Sequence, residues 1–208
     1  MSRLLLSAAF VLALGITSTR ADDAPKAEPV KAEPAKDIDA QELMKAMQKA
    51  ATPGEEHRKL DAFIGSWSFV AKMTIDPSKP PMETKGECER KWTLGKRFVQ
   101  ESAKGTCEAT GHEYEGMGVL GYDNTQKKYV SGWVDNMSTS LDRCYGTFDN
   151  TGKILTFTSE KMCPLTNEQV KTRTVVTIAA EDKVNFEMFV NMGGKEIRAF
   201  EINYTRKK

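Results

Sequence analysis

The sequence predicts an all-β protein, an antiparallel up-and-down β-barrel of about nine or ten strands preceded by one or two short helices. From residue 65 onward, apolar and polar residues alternate with a period of two, which is the spacing of strands. Turn signals such as "NTQK", "NTG" and "EDK" recur between these segments at short intervals. Glycines recur inside the predicted strands, and they cost stability there unless the sheet must bend or pack closely.

The first 21 residues read as a secretory signal peptide. Arg3 supplies the positive charge, Leu4 to Ile16 is a run of 13 residues of low polarity, and Ala21 offers a small residue for cleavage. The run is shorter than the roughly 20 residues that a membrane-spanning helix needs. We therefore expect an exported protein, periplasmic or extracellular, with no stable membrane insertion after cleavage.

Residues 22–37 are rich in Pro, Ala, Lys and Glu and contain "KAEP" twice, so they cannot bury apolar surface and predict a semi-extended tether. Residues 38–208 then form one domain, with a helical lead-in at 38–64 and the barrel at 65–206. The pattern "IDAQELMKAMQKAA" predicts the first helix. A second helix is expected to start at Thr52 as N-cap with Pro53 at its first position, and to end near Gly65.

The charge balance argues against nucleic acid as a partner. The chain has 30 basic and 29 acidic residues, and removal of residues 1–21 takes away Arg3 and Arg20, leaving 28 against 29. No basic stripe appears before the short basic end "TRKK" at residues 205–208, so the electrostatic signature of nucleic-acid binding is missing.

Four cysteines in an exported chain predict disulfides. Three pairings are possible. We favour Cys88–Cys107 and Cys144–Cys163, because each pair is 19 residues apart and straddles one predicted hairpin. Closing a loop of that length stabilises a fold by roughly 3 kcal/mol in the chain-entropy model.

The segment "FIGSW" marks the entry into the first strand. A barrel has an end that must be plugged, and Trp67 at the start of the strand supplies a large ring for that purpose, while Gly65 allows the chain to turn sharply beneath it. A helix, then G-x-W, then an antiparallel meander resembles the lipocalin and wider calycin superfamily. That resemblance implies a basic partner for the tryptophan near the last strand, with Arg206 the candidate and Arg198 the less favoured one.

A closer resemblance covers almost all of residues 53–207. The segments "KWTLGKRFVQE", "GYDNTQKKYVSGWVDN" and "FEINYTRK" look like the bacterial family called domain of unknown function 1579. The resemblance implies a calycin-like barrel and carries over no catalytic residue.

Alternation along the strands suggests which residues line the barrel. If Trp67 points inward, Trp92 and Arg90 on the next strand share an inward face with Cys88. A buried arginine must be paired, and Glu101, Asp135, Arg173 and Glu187 are the strand residues that offer a partner for it or for a ligand. The candidate ligand-binding residues are Arg90, Trp92, Tyr129, Trp133 and Arg173, although a structural ion pair and ordinary core aromatics explain the same pattern.

No catalytic, metal or cofactor site emerges from the residue types. His57 and His112 are the only histidines and neither lies on a predicted strand, which argues against haem, and there is no C-x-x-C motif for zinc. A Cys107–His112 nucleophile pair is less favoured than a disulfide-bonded Cys107 beside a surface histidine.

Two functions from different classes fit the sequence. The first is non-catalytic binding of a small, largely apolar molecule inside the barrel. The second is a structural or protein-interaction role for a barrel filled by its own side chains, which predicts an exposed apolar patch. Catalysis is the third and least favoured interpretation. The sequence sets neither the ligand nor the oligomeric state.

Overall fold

The computed structural model of the protein describes residues 39–75, 78–163 and 167–208. Two helices and a 3₁₀ helix precede ten strands, with these bounds: α1 Ala40–Ala51, α2 Glu55–Arg58, 3₁₀ helix Lys59–Phe63, β1 Gly65–Met73, β2 Met82–Thr93, β3 Phe98–Cys107, β4 Glu113–Asp123, β5 Lys128–Asp135, β6 Asp142–Phe148, β7 Ile154–Met162, β8 Gln169–Ala180, β9 Lys183–Met192 and β10 Lys195–Arg206. The predicted signal peptide and tether lie outside the described residues.

The ten strands form one closed antiparallel barrel, which confirms the predicted fold. Each strand pairs with the next along the chain, and β10 closes the barrel by pairing with β1, where Trp67 lies opposite Arg206. Short turns connect the neighbours, for example the four residues between β2 and β3. Such local connections suit an up-and-down order, because sequential strands need only a hairpin between them.

The two ends of the barrel differ. The closed end contains the start of β1, the end of β10 and the α2–3₁₀ segment, which packs a plug of apolar side chains beneath the strands. Leu60 and Trp67 are fully buried there and Phe63 nearly so. The opposite end, where β3 ends and β4 begins, is called the mouth below.

The N-terminal helix lies on the outside of this core. Helix α1 is capped by the Asp39 side chain, which accepts from the backbone N–H of Gln41, and none of its residues is buried. Its last turn is held by the side-chain amide of Asn124, which donates to the carbonyls of Ala50 and Thr52.

The second helix starts later than predicted. Thr52 is the C-cap of α1, and Gly54 rather than Thr52 is the N-cap of α2. The backbone N–H of Gly54 donates to Nδ1 of the buried His57 over 3.1 Å, so a histidine side chain caps the start of this helix.

Neither predicted disulfide forms, which corrects the pairing inferred from the spacing. Cys88, Cys107 and Cys144 carry free thiols. The strand register explains this, because Cys107 lies opposite Thr84, four residues along β2 from Cys88. Four strand residues span about 14 Å, well beyond the reach of a disulfide. The register of β6 with β7 produces the same offset of four between Cys144 and Cys163.

Candidate functional site

The plug at the closed end is built around Trp67. Its indole Nε1 donates to the carbonyl of Phe63 over 2.9 Å, and the guanidinium carbon of Arg206 lies 4.1 Å from the ring centroid. Arg206 also donates to the backbone carbonyls of Ala62, Ile64 and Glu181. One side chain thereby covers the indole and ties the 3₁₀ helix to the last strand.

Gly65 makes this approach possible. Its φ of +122° lies in a region that other residues rarely adopt, and a Cβ at this position would lie 2.7 Å from Nη1 of Arg206. The glycine two residues before the tryptophan is therefore required by both the backbone conformation and the space.

A buried ion pair lies directly above the plug. Arg90 donates through Nε and Nη2 to the two carboxylate oxygens of Glu101 over 2.9 and 3.3 Å, and its guanidinium carbon lies 4.1 Å from the centroid of the Tyr204 ring. The side chains of Arg90 and Glu101 are 7% and 19% exposed. Burial opposes the charge on Arg90, but the nearby Glu101 carboxylate outweighs it and raises the pKa of Arg90.

The third guanidinium nitrogen of this pair, Nη1 of Arg90, is buried and has no hydrogen-bond partner among the described residues. Burial raises the pKa of the neighbouring Tyr204 hydroxyl, and the Glu101 carboxylate acts in the same direction. Burial also raises the pKa of the Cys88 thiol to about 12. These two groups are therefore neutral at physiological pH, and the charges that Arg90 contacts among the described residues are those of its own ion pair with Glu101.

A second polar group lies nearer the mouth, on β4 and β5. The indole Nε1 of Trp133 lies 3.2 Å from both the Tyr114 hydroxyl and Oδ2 of Asp135, and it donates to these two oxygens. All three side chains are partly buried. Burial, followed by the nearby Asp135 carboxylate, raises the pKa of Tyr114 to about 12.

Two glycines on β4 leave room for the Trp133 ring to pack against the backbone. A Cβ on Gly116 or Gly118 would lie 2.6 or 2.5 Å from indole atoms, so the ring packs flat against bare backbone. Gly118 is the register partner of Trp133, so the indole lies over it on the inner face of the sheet. One face of the indole is covered by β4, and the other faces the interior.

Polar side chains continue around the wall from β6 to β8. Lys161 donates to Asp142 over 3.3 Å, and the hydroxyls of Ser159 and Thr172 are 2.7 Å apart. Burial raises the pKa of the Cys144 thiol on the same face to about 11.

The wall formed by β8, β9 and β10 is apolar instead. Val184 and Tyr204 are buried, so the residues that share their face of these strands point inward. These inward side chains pack on the core yet are only partly buried: Val176, Ile178, Phe186, Phe200 and Ile202. These side chains therefore keep part of their surface accessible.

The residues predicted to bind a ligand do not all meet in the interior. Arg90 and Trp133 lie on the inner face, whereas Trp92 is tied to the plug by a bond from its Nε1 to Asp61 over 2.7 Å. Tyr129 lies in the closed end, with its hydroxyl donating to Glu56 over 2.6 Å.

Arg173 does not line the interior. It lies on the outer face, paired with Glu196, because its neighbour Thr174 is the residue opposite the buried Phe157. Glu187 and Arg198 form another outer ion pair over 2.8 Å. Sequence reasoning missed Tyr114 and Tyr204 as interior partners, although both stand at inward positions of their strands.

A cleft of about 460 Å³ lies outside the barrel interior, at the closed end. It runs between α2 and the turns after β4 and β6, with Tyr122, Tyr129 and Phe148 among its lining residues. The Tyr129 ring contacts the rings of Tyr122 and Phe148 edge to face, each with a centroid distance of 4.9 Å. Its polar rim contains the paired Glu56 and Lys59.

An apolar patch lies on the outer face of the β4–β5 hairpin. Met117 and Val134 are direct register partners, Val119 lies opposite Gly132, and Leu141 follows just before β6. The four apolar side chains are 39–70% exposed.

None of the helices in the described part of the chain is long and apolar enough to cross a membrane.

Comparison with known proteins identifies the family. The model of the family described as "Protein of unknown function (DUF1579)" matches residues 52–206, and the chain belongs to this family. No curated protein matches the sequence.

Solved structures support the fold. The chain is similar to Rv2717c from M. tuberculosis, with 14% identity, a TM-score of 0.54, and coverage of 76% of this chain and 100% of the other. It is also similar to the S-type phycobiliprotein lyase CPES from Guillardia theta, with 11% identity, a TM-score of 0.52, and coverage of 78% and 97%. At these identities the likeness concerns the barrel alone.

Proposed function

We propose that the barrel binds a small, largely apolar molecule in its interior, without catalysis. The observation that carries the proposal is the apolar wall of β8 to β10, whose inward side chains pack on the core but stay partly exposed. A barrel filled by its own side chains would bury them. The opposite wall supplies a few polar groups, and an apolar cavity with a few convergent polar groups is the usual form of a small-molecule site.

The buried Arg90–Glu101 pair forms the floor of the proposed site. The pair separates the packed plug from the part of the interior that opens towards the mouth, and its own charges cancel. The neighbouring thiol is unsuited to nucleophilic catalysis, because burial raises the pKa of Cys88 to about 12 and keeps it protonated.

Native mass spectrometry of the full protein purified gently from its own host tests the proposal. We expect a reproducible excess mass that leaves on denaturation. Thr174→Phe places a ring on the inner face of β8 and should reduce the occupied fraction, whereas the matched variant Val175→Phe on the outer face should retain it. A clean polypeptide mass for the wild type, or equal occupancy in both variants, would contradict binding in the interior.

We propose further that the protein is exported and acts in the periplasm or outside the cell. Residues 1–21 support this, since they combine a basic start, a short apolar run and a small residue at the expected cleavage point. Fractionation of the host followed by mass measurement should find a chain that begins after Ala21. Full-length protein in the cytoplasm would contradict the proposal.

The exposed patch on the β4–β5 hairpin favours a second candidate function, which is association with another copy of the chain. Paired apolar residues on a hairpin can meet their own copy across a two-fold axis. Sedimentation velocity at rising protein concentration should then show a dimer that Val134→Lys disrupts. A monomer at every concentration would refute this function and leave the ligand-binding proposal standing.

A further inference from the structure

Not every charge that faces the interior has an ion-pair partner. Above the plug, the inward positions of the described strands place six charged side chains, of which Lys195 is exposed at the mouth end of β10: Arg90, Glu101, Asp135, Asp142, Lys161 and Lys195. Arg90 is paired with Glu101, and Lys161 with Asp142. Asp135 is left as the carboxylate whose charge no basic side chain of the described residues neutralises.

The contacts of Asp135 hold its carboxylate in place without neutralising it. Oδ2 accepts from the Trp133 indole over 3.2 Å, and Oδ1 accepts from the backbone N–H of Met137 over 3.0 Å. Both donors are neutral. Each carboxylate oxygen has further acceptor capacity, so the group can still receive a hydrogen bond from a charged donor.

The aromatic ring beside this carboxylate is suited to the same kind of ligand. One face of the Trp133 indole packs on Gly116 and Gly118. The cation–π contacts among the described residues involve other rings, namely those of Trp67, Tyr145, Phe189 and Tyr204. The Trp133 ring is partly buried and has no cation–π partner among the described residues, and an indole face attracts a cation more strongly than any other aromatic side chain does.

We infer that the interior site takes an amphipathic cation, a protonated amine on an apolar body, with the ammonium group between Asp135 and the face of Trp133. This inference rests on the proposed function and specifies its ligand. The apolar body would pack across the barrel on the wall of β9 and β10, where Phe186 and Phe200 are partly exposed.

An anionic ligand is disfavoured by the same set of groups. The guanidinium of Arg90 already holds both oxygens of Glu101, and the ammonium of Lys161 is engaged by Asp142. Nη1 of Arg90 could donate to a carboxylate ligand without breaking the pair, but that carboxylate would then lie beside Glu101, which repels it.

Isothermal titration calorimetry of the full wild-type protein with three matched probes tests the inference. The probes share one naphthalene ring and carry a cationic, a neutral or an anionic group: 1-naphthylmethylammonium, 1-naphthylmethanol and 1-naphthoate. We expect the cation to bind at least about tenfold more tightly than the neutral probe, which corresponds to about 1.4 kcal/mol, and the anion to bind most weakly.

Two variants test whether Asp135 causes the preference for the cationic probe. Asp135→Asn should remove the preference for the cation and leave the neutral probe nearly unaffected. Glu115→Gln is the control, because Glu115 lies on the outer face of the adjacent strand and pairs with Lys104. That variant should bind all three probes as the wild type does.

The possible results distinguish the preference for a cation from the presence of a ligand site in the barrel. Equal affinities of the wild type for the three probes, or tighter binding of the anion, would overturn the cation inference while supporting a ligand site in the barrel. An unchanged preference in Asp135→Asn would also overturn it. Failure of all three probes to bind would count against the proposed function itself.

Discussion

Replacing Glu101 by glutamine should be among the most damaging conservative changes in this protein. The substitution keeps the shape of the side chain but leaves the charge of Arg90 without a counter-ion. The Arg90 side chain is 7% exposed, so water cannot replace the lost carboxylate. Removing one partner of a buried pair costs about 3–5 kcal/mol, which is a large part of the stability of an ordinary domain.

The converse change should cost less. Arg90→Met removes the buried cation, and the remaining Glu101 carboxylate is 19% exposed and retains some contact with water. We expect a loss of about 1–2 kcal/mol for this variant. The double variant Arg90→Met/Glu101→Leu replaces the pair by apolar side chains and should come within about 1 kcal/mol of the wild type.

Equilibrium urea unfolding, followed by circular dichroism, measures these free energies. The surface pair Arg173–Glu196 serves as a control, since its side chains are 38% and 46% exposed. Glu196→Gln should cost less than about 1 kcal/mol, because exposed ion pairs contribute little. The reasoning is refuted if Glu101→Gln costs no more than Glu196→Gln, or if the double variant loses as much as the two single changes added together.

Three further predictions concern the plug and the thiols. Arg206→Met should lower the free energy of unfolding by about 2–4 kcal/mol in the same urea assay, since it removes three backbone contacts and the cation over the indole, and a loss below 1 kcal/mol would contradict this role. Burial lowers the pKa of His57, so the unfolded chain binds the proton more readily. The stability linked to this group is present above the unfolded pKa of about 6.5 and is lost as pH falls below it. His57→Gln should flatten the pH dependence of stability between about pH 6.5 and 5, and an unchanged slope would refute the assignment. Alkylation at pH 8, followed by peptide mass mapping, should label Cys107 faster than Cys88, because a bond with the Thr110 hydroxyl lowers the pKa of Cys107, whereas burial raises the pKa of Cys88 to about 12. The reverse order would contradict these two environments.

The sequence predicted more of the fold than of the site. Period-two alternation and short turns are local properties, so they can be recognised before any strand is paired, and they predicted the up-and-down barrel. The inward face of β2 could also be predicted, because Cys88, Arg90 and Trp92 alternate with charged residues. Strand β8 offers a weaker contrast, since "VKTRTVVTIAA" has threonine and apolar residues on both faces and charges only at Lys171 and Arg173. The pairing of Phe157 with Thr174 places those two charges on the outer face.

The disulfide prediction was wrong because it depended on the register of strand pairing, which the sequence spacing does not give. The equal 19-residue separations of the cysteines suggested matched disulfides, but a separation along the chain does not give the register of a hairpin. The turn between β2 and β3 places Thr93 opposite Phe98, which puts Cys107 four residues away from Cys88 along the ladder. A turn of different length would have changed that offset. The number of residues between two cysteines does not show how long the turn is.

By itself, the amino-acid sequence determined the approximate strand number, the order of strands and the glycine and tryptophan at the closed end, because each depends on residues close together in the chain. Only the tertiary structure decided which charges meet inside the barrel. Whether a side chain such as Asp135 finds a counter-ion depends on which residues the other strands bring to the same level of the interior. That arrangement is set by the register of ten pairings acting together, and it leaves Asp135 and the face of Trp133 side by side on the inner wall.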